Sequence, residues 1–187
     1  MGDEDGHKGL RRRLGDPPVG DLLARMIRVD HAGEFGAVRI YQGQMAVLGS
    51  RTVASTLKQM EAKEQEHLQV FGRLLVERRV RPSVLQPLWG ALGYALGAGT
   101  ALMGEGAAMA CTVAVEEVIE EHYLNQAERL GDSEVDLKAT IEKFRDDEME
   151  HREIALEHGG TRHPAYPVLG MAIKTGSRLA IWLAARL

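Results

Sequence analysis

Two Glu-x-x-His motifs stand out among the residues able to do chemistry, and they begin at residues 64 and 148. A lone glutamate precedes the first motif by 30 residues, at position 34, and another precedes the second by 32 residues, at position 116. Carboxylates and imidazoles together suit divalent metal ions such as iron and manganese. The spacing therefore predicts a metal site with six ligands, which are Glu34, Glu64, His67, Glu116, Glu148 and His151.

These six residues share the helical phase of the apolar residues around them. Glu64 and His67, for instance, continue a stripe that runs from Met60 to Phe71 in steps of three and four. One such motif is usually a solvated pair, but two in-phase motifs, each preceded by an in-phase glutamate, are hard to obtain by chance. Four ionised carboxylates in one core need a cation between them, and two divalent metals supply that charge. This is the ligand rule of ferritin-like di-iron and di-manganese bundles.

The donor set also indicates which metal binds. Four carboxylates and two imidazoles form a hard, oxygen-rich site, which favours iron or manganese over structural zinc. We predict two iron ions per chain. Because bridging and terminal carboxylates leave coordination positions open, dioxygen is the expected co-substrate, and the protein supplies binding, orientation and exclusion of side reactions.

One acidic residue is expected to support a metal ligand. Asp147 comes directly before Glu148 and is placed to accept the free N–H of a metal-bound histidine on a neighbouring helix, with His67 as first choice. Lys63 holds the equivalent position in the first half of the chain, so the internal repeat is broken there.

The helix that carries Glu116 holds two further candidates. Tyr123 follows Glu116 by seven residues, so the two side chains share a face, and Tyr123 either gates protons or substrate or is a core tyrosine with a satisfied hydroxyl. His122 points elsewhere on that helix, where a supporting role at the site and a purely structural role are both open.

The elements that must position these residues are all helices, since no stretch alternates apolar and polar residues convincingly. Residues 1–20 are expected to be a flexible tail and residues 21–187 a single ferritin-like di-iron domain. The first helix is predicted to begin near Asp21, a good N-cap. The predicted helices cover about residues 21–49, 52–77, 88–130 and 135–158, and a fifth follows Pro164 and Pro167.

Composition excludes several other functions. The single cysteine, Cys111, rules out an intramolecular disulfide and any cysteine-based metal site, and it indicates a reducing compartment. The net charge is −4 and no basic stripe is present, which argues against nucleic acid as the main partner. The tail has neither the apolar region of a secretory signal nor the acid-poor composition of a transit peptide.

Two apolar segments point to a membrane surface. The 21 residues from Val84 to Gly104 carry no charge but include five glycines, so we expect a hydrophobic hairpin that lies on or dips into one leaflet. Residues 168–187 are expected to form an interfacial amphipathic helix, with Lys174, Arg178 and Trp182 along it. The alternative is that both segments cover the bundle or form an oligomer interface. A lipid-soluble substrate would connect these segments to the metal.

Several runs of sequence closely resemble the demethoxyubiquinone hydroxylase family of ubiquinone biosynthesis. The resemblance extends from about Arg28 to the C-terminus, and it is far more specific than the generic ligand pattern. The matching runs are RVDHAGEFGA at 28–37, RIY at 39–41, GQMAVLG at 43–49, RVRP at 79–82, ALGAGTAL at 95–102, AMACTVAVEE at 108–117 and KFRDDE at 143–148.

The resemblance implies a peripheral membrane monooxygenase that uses O2 to hydroxylate the ring of a polyprenyl demethoxyubiquinone in its reduced form. The six iron ligands of that family match the six residues above one for one, and its His-Tyr pair matches His122 and Tyr123. NADH is implied as the electron source, although the chain has no Gly-x-Gly-x-x-Gly dinucleotide motif. The expected location is the cytoplasmic face of a bacterial inner membrane, with the matrix face of the mitochondrial inner membrane as the alternative.

Other functions stay open at this point. A membrane-associated di-iron quinol oxidase would use the same ligands without hydroxylating a substrate, and a ferritin-like iron-storage protein would use them to collect iron. The sequence also leaves open whether an accessory lipid-binding protein or a homo-oligomer takes part.

Overall fold

The computed structural model describes residues 18–132 and 134–187, and the regular structure of these residues is entirely helical. The predicted flexible tail lies outside the described residues, apart from its last three positions. Helices α2 and α5 fall close to their predicted bounds. The helices are α1 (Val19–Leu48), α2 (Ala54–Glu77), α3 (Gln86–Leu102), α4 (Glu105–Leu130), α5 (Val135–Glu157) and α6 (Tyr166–Ala184), with a short 3-10 helix at Gly160–Arg162.

Helices α1, α2, α4 and α5 form a four-helix bundle in which α1 pairs with α2 and α4 pairs with α5. One apolar cluster joins the four helices at one end of the bundle, and a second joins them at the other end. Every predicted metal ligand lies in sequence between these two clusters. The expected all-α, ferritin-like bundle is therefore confirmed. The predicted metal ligands lie in its middle, between the two apolar clusters. Representative members are Ile27, Phe71, Leu130 and Ile141 in the first cluster and Tyr41, Leu57, Met109 and Ala155 in the second.

The start of α1 differs slightly from the prediction. The helix begins at Val19 after Pro18, and no side chain caps it. Asp21 therefore lies inside the first turn and is not the N-cap. Its negative charge is still favourable there, because the N-terminus of a helix carries partial positive charge.

The predicted third helix was wrong in one respect, because it is two helices. The chain breaks between Leu102 and Glu105, where Gly104 adopts a φ of +112°, a conformation that residues with a Cβ rarely adopt. The apolar segment 84–104 accordingly forms one helix, α3, and not the expected hairpin. The break lets α3 lie against α1 while α4 enters the bundle.

Glycines allow α3 to approach α1 with backbone against backbone. A Cβ added to Gly97 would overlap the carbonyl oxygen of Ile40, and one added to Gly93 would lie 2.7 Å from the carbonyl oxygen of Gly36. A Cβ on Gly43 of α1 would likewise overlap the backbone of α3. We call these positions, Gly36, Gly43, Gly93 and Gly97, the glycine contact.

Helix α6 packs along α4 and also touches α1. Lys174 forms an ion pair with Glu117, and Arg178 forms one with Glu121 at 2.9 Å. The sequence placed these two cations on the polar face of an interfacial helix. In the structure they form ion pairs that link α6 to α4.

Helices α3 and α6 both expose large apolar side chains. None of the helices within residues 18–132 and 134–187 is sufficiently long and apolar to span a bilayer. The predicted association with a membrane surface stays a prediction. The exposed side chains of α3 and of the residue after it are Leu88, Leu92, Tyr94, Leu102 and Met103, and those of α6 are Val168, Met171, Leu179 and Trp182.

Candidate metal centre

The fold brings the six predicted ligands together in the middle of the bundle. Each of the four helices contributes, and all six side chains are buried. His151 Nδ1 lies 2.9 Å from Glu64 Oε1 and 3.3 Å from Glu148 Oε2. His67 Nδ1 lies 3.2 Å from Glu148 Oε1 and 3.6 Å from Glu34 Oε2.

The ligands fall into two overlapping groups of four. The first contains Glu34 and His67, the second contains Glu116 and His151, and both contain Glu64 and Glu148. Within each group the candidate ligand atoms lie within 4.8 Å of one another. This geometry suits two neighbouring metal ions that share the carboxylates of Glu64 and Glu148, each with one further carboxylate and one imidazole.

The unpaired polar atoms test whether the residues fit such metals. Among the described residues, eight buried oxygen and nitrogen atoms of the six side chains make no hydrogen bond. Buried polar groups almost always have partners, and an orphaned one is costly. The eight atoms are divided between the two ligand groups, so the donor set fits two metal ions. They are Glu34 Oε2, both oxygens of Glu64, His67 Nδ1, Glu116 Oε2, both oxygens of Glu148 and His151 Nδ1.

The pKa values of the cluster residues are shifted because several charged side chains are buried close together. Burial, followed by repulsion from Glu148, raises the pKa of both Glu64 and Glu116 well above its usual value. Burial also acts to raise the pKa of Glu148, but contacts with His151 and His67 outweigh it and lower that pKa to about 2. Burial acts to lower the pKa of His67, and its carboxylate neighbours, Glu148 first, overcome this and raise it to about 10.

Asp147 contacts His67 as the sequence predicted. Its Oδ2 lies 3.0 Å from Nε2 of His67, while Nδ1 of the same ring faces the carboxylates. A histidine that donates from Nε2 to Asp147 would keep Nδ1 free for a metal. Lys63 lies 3.5 Å from the other oxygen of Asp147, so the residue that breaks the internal repeat forms an ion pair between the two halves.

Two tyrosines donate hydrogen bonds to the two lone glutamates. The Tyr123 hydroxyl donates to Glu34 Oε1, and the Tyr41 hydroxyl donates to Glu116 Oε1 at 2.8 Å. Burial and the nearby carboxylates raise the pKa of both tyrosines well above 10, so both stay protonated donors. Tyr123 is therefore a core tyrosine with a satisfied hydroxyl, and its predicted role as a gate for protons or substrate stays a prediction.

His122 belongs to a polar group beside the cluster. Its Nε2 lies 3.2 Å from Oδ1 of Asp30, a buried acid one helical turn before Glu34. Gln126 donates to the same oxygen at 2.7 Å. Burial raises the pKa of Asp30, while the contact with His122 lowers it in part, and its other oxygen makes no hydrogen bond among the described residues.

Sequence reasoning missed the roles of Tyr41 and Asp30. Tyr41 follows Glu34 by seven residues, as Tyr123 follows Glu116, so the internal repeat was a signal that could have found it. Asp30 has no acidic counterpart, because Thr112 stands four residues before Glu116.

The sequence also matches a known protein family. The family described as "Ubiquinone biosynthesis protein COQ7" matches residues 21–184, which include the four bundle helices apart from the first two residues of α1. The chain belongs to this COQ7 family. The resemblance inferred from the sequence runs is thereby confirmed.

Three relatives show how closely the chain follows the COQ7 family. The "3-demethoxyubiquinol 3-hydroxylase" of Rhodospirillum rubrum is 55% identical over 183 residues, covering 97% of this chain and 86% of the relative. The human "NADPH-dependent 3-demethoxyubiquinone 3-hydroxylase, mitochondrial" is 54% identical over 167 residues, covering 87% and 77%. The "5-demethoxyubiquinone hydroxylase, mitochondrial" of Saccharomyces cerevisiae is 46% identical over 183 residues, covering 89% and 78%. The relatives thus come from a bacterium and from mitochondria.

Proposed function

We propose that the protein is an O2-dependent di-iron monooxygenase that hydroxylates the ring of a demethoxyubiquinol in ubiquinone biosynthesis. The observation that carries the proposal is the buried cluster of two overlapping ligand groups, whose unpaired atoms fit two metal ions, in a member of the COQ7 family. The relatives' names supply the substrate class and the reaction type. We assign the six clustered residues as the iron ligands.

The reaction defines what the protein must provide. A ring C–H, O2, two electrons and two protons give a ring C–OH and one water. When bound, the two iron ions supply the activation of O2. Glu64 and Glu148 would be shared by the two metal ions, while Glu34 with His67 would hold one ion and Glu116 with His151 the other. The protein must also keep the centre shielded from water while admitting protons and electrons.

Supporting residues are assigned from their contacts. We propose that Asp147 fixes the ring orientation of His67, and that Tyr123 fixes Glu34. We also propose that His122, whose side chain is 22% exposed, relays protons from solvent to the buried Asp30 beside the cluster. A buried centre that consumes two protons needs such an entry, and the two ring nitrogens of a histidine can accept and donate protons.

The proposed location follows from the exposed apolar faces of α3 and α6. A polyprenyl quinol is lipid-soluble, so we place the protein on a membrane surface, at the cytoplasmic face of a bacterial inner membrane, with the matrix face of the mitochondrial inner membrane as the alternative. The same faces would receive a second copy or an accessory lipid-binding protein. Nucleic acid is not a proposed partner.

A direct assay tests the reaction. Iron-loaded protein, a short-tail demethoxyquinone, a reduced nicotinamide and ¹⁸O2 are incubated, and mass spectrometry follows the quinone. The expected product carries one added ¹⁸O atom on the ring. NADPH and NADH are both tested, because the human relative is named NADPH-dependent, whereas the family resemblance implied NADH.

The remaining functions give different results in that assay. A quinol oxidase would consume O2 and reductant without a heavier quinone, and this result would overturn the hydroxylase proposal. Storage would show uptake of many iron ions per chain, whereas the two ligand groups predict two. Glu116→Ala is the matched inactive control, and it is expected to lose iron and product while retaining its helical circular dichroism.

A further inference from the structure

Tyr41 and Tyr123 occupy equivalent places in the two halves of the bundle. Each follows the lone glutamate of its own helix by seven residues. Each nevertheless donates to the glutamate of the other half, Tyr41 from α1 to Glu116 on α4 and Tyr123 from α4 to Glu34 on α1. The two hydrogen bonds form a reciprocal pair across the metal centre.

Each hydrogen bond distinguishes the two oxygens of its carboxylate. Oε1 of Glu116 accepts from Tyr41, while Oε2 is buried and makes no hydrogen bond among the described residues. Glu34 shows the same division, with Oε1 bound to Tyr123 and Oε2 unpaired. A carboxylate held in this way offers one oxygen to a metal, whereas a free one can also turn to offer both.

Tyr41 touches both residues that belong to the second ligand group alone. Besides its bond to Glu116, its ring packs edge-on against His151, with 6.2 Å between the ring centroids and an angle of 76°. Tyr41 is itself only 2% exposed. The corresponding ring contact in the first group comes from Phe144, which stacks on His67 at 3.9 Å.

We propose that Tyr41 is a positioning residue for one of the two metals, restricting Glu116 to coordination through Oε2 and acting on that metal as Tyr123 acts on the metal beside Glu34. The inference rests on the proposed di-iron site. It adds a residue to the site and assigns its effect to one metal only. The hydroxyl acts through Glu116 and does not touch the metal.

The test compares Tyr41→Phe with wild type in an anaerobic Fe(II) titration. The substitution keeps the ring and removes only the hydroxyl. Loss of a residue that supports a ligand weakens metal affinity by about 10- to 100-fold. We expect one of two Fe(II) equivalents to weaken to this extent and the other to keep its affinity. Tyr123→Phe should weaken one equivalent, and the double variant should weaken both.

Mössbauer spectra of the ⁵⁷Fe-loaded proteins give a second readout that does not depend on activity. Tyr41→Phe and Tyr123→Phe are expected to change different quadrupole doublets. Tyr94→Phe is the matched control, because Tyr94 lies on α3 with 38% exposure and should leave both constants and spectra unchanged. Thermal unfolding of each metal-free variant checks that the fold is retained.

The outcomes separate this inference from the proposed function. If wild type does not bind two Fe(II) ions, the di-iron proposal itself fails. If wild type binds two and Tyr41→Phe keeps both constants and the wild-type spectrum, Tyr41 only fills space and the positioning role is wrong. Equal weakening of both metals by Tyr41→Phe would overturn the assignment to a single metal.

Discussion

At the scale of single residues, the buried cluster of the six predicted ligands contains more negative charge than a protein core tolerates without compensation. The raised pKa values of Glu64, Glu116 and His67 indicate that, without metal, bound protons would reduce the negative charge of the cluster. Two divalent ions would replace those protons and pair with the same side chains. Metal and protons therefore compete for one set of atoms.

This competition predicts how metal binding depends on pH. His67, whose pKa is about 10, holds a proton at neutral pH that it must lose when metal binds, and the raised pKa values of Glu64 and Glu116 act in the same direction, so affinity should increase as pH rises from 6 to 8. Calorimetric Fe(II) titrations in buffers of different ionisation enthalpy should show net proton release. An affinity that does not change over this range would show that the ligands are already deprotonated.

A second prediction concerns Asp30. Asp30→Asn keeps the shape of the side chain but removes the charge that faces His122. If the pair relays protons, product formation should fall by about 10²- to 10⁴-fold, the range of general acid–base effects. Iron stoichiometry should stay at two. Asp136→Asn, at an exposed acid of α5, is the control, and an unchanged rate in Asp30→Asn would contradict the relay.

The sequence predicted the buried cluster better than the residues around it. Buried charge in phase with apolar stripes is a strong constraint, so the spacing alone identified the six side chains that meet in the bundle and the contact of Asp147 with His67. Asp30 could not be assigned a role in that way, and Tyr41 only through the internal repeat, because a tyrosine on a core stripe and an acid within a helix are both common. Their roles depend on which helices are neighbours, and this is a property of the fold.

At the scale of elements, the helix break at Gly104 and the packing of α3 on α1 were the features that the sequence did not reveal. A glycine in an apolar run permits a left-handed turn but does not require one. The glycines of α3 weakened the expectation of a membrane span without showing what they contact. In the structure, Gly93 and Gly97 face the backbone of α1, whereas a Cβ added to Gly99 would meet no neighbouring atom within 4 Å.

This difference gives a stability prediction with an internal control. Gly97→Ala forces a Cβ onto the Ile40 carbonyl, so it should lower the free energy of unfolding by at least about 1–3 kcal/mol, as overpacking does. Gly99→Ala adds a Cβ in open space within the same helix, so it should raise stability by about 0.5–1 kcal/mol. Urea unfolding of both variants measures the difference, and equal effects would contradict the close helix approach.

At the scale of the whole molecule, the charged and apolar surfaces are arranged separately. The cations of α6 pair with α4, so the side of α6 away from the bundle keeps apolar side chains such as Met171 and Leu179. Helix α3 adds Leu92 and Leu102. A quinol hydroxylase that takes its substrate from a bilayer would use such faces for docking.

Vesicle flotation tests this docking. The protein is expected to float with phosphatidylethanolamine and phosphatidylglycerol vesicles, and Leu179→Glu should reduce binding by about tenfold, since part of a leucine burial is lost. Val76→Glu is the control, because Val76 is 78% exposed on α2, away from α3 and α6. If the protein does not float, the membrane proposal is wrong. A dimer in size-exclusion chromatography would then indicate that a second copy covers the apolar faces.

The glycine contact has a further consequence for the distance that a substrate must travel. Packed helices are usually about 8–10 Å apart between axes, and backbone contact places α1 and α3 at the short end of that range. Helix α1 carries Glu34 on its face toward the bundle, so α1 and α3 together separate the buried cluster from the outer surface of α3. At the close spacing of these two helices, a quinol ring on that surface would be separated from the cluster by one interaxial distance and two helix radii, roughly 18 Å, while its polyprenyl tail stayed in the lipid.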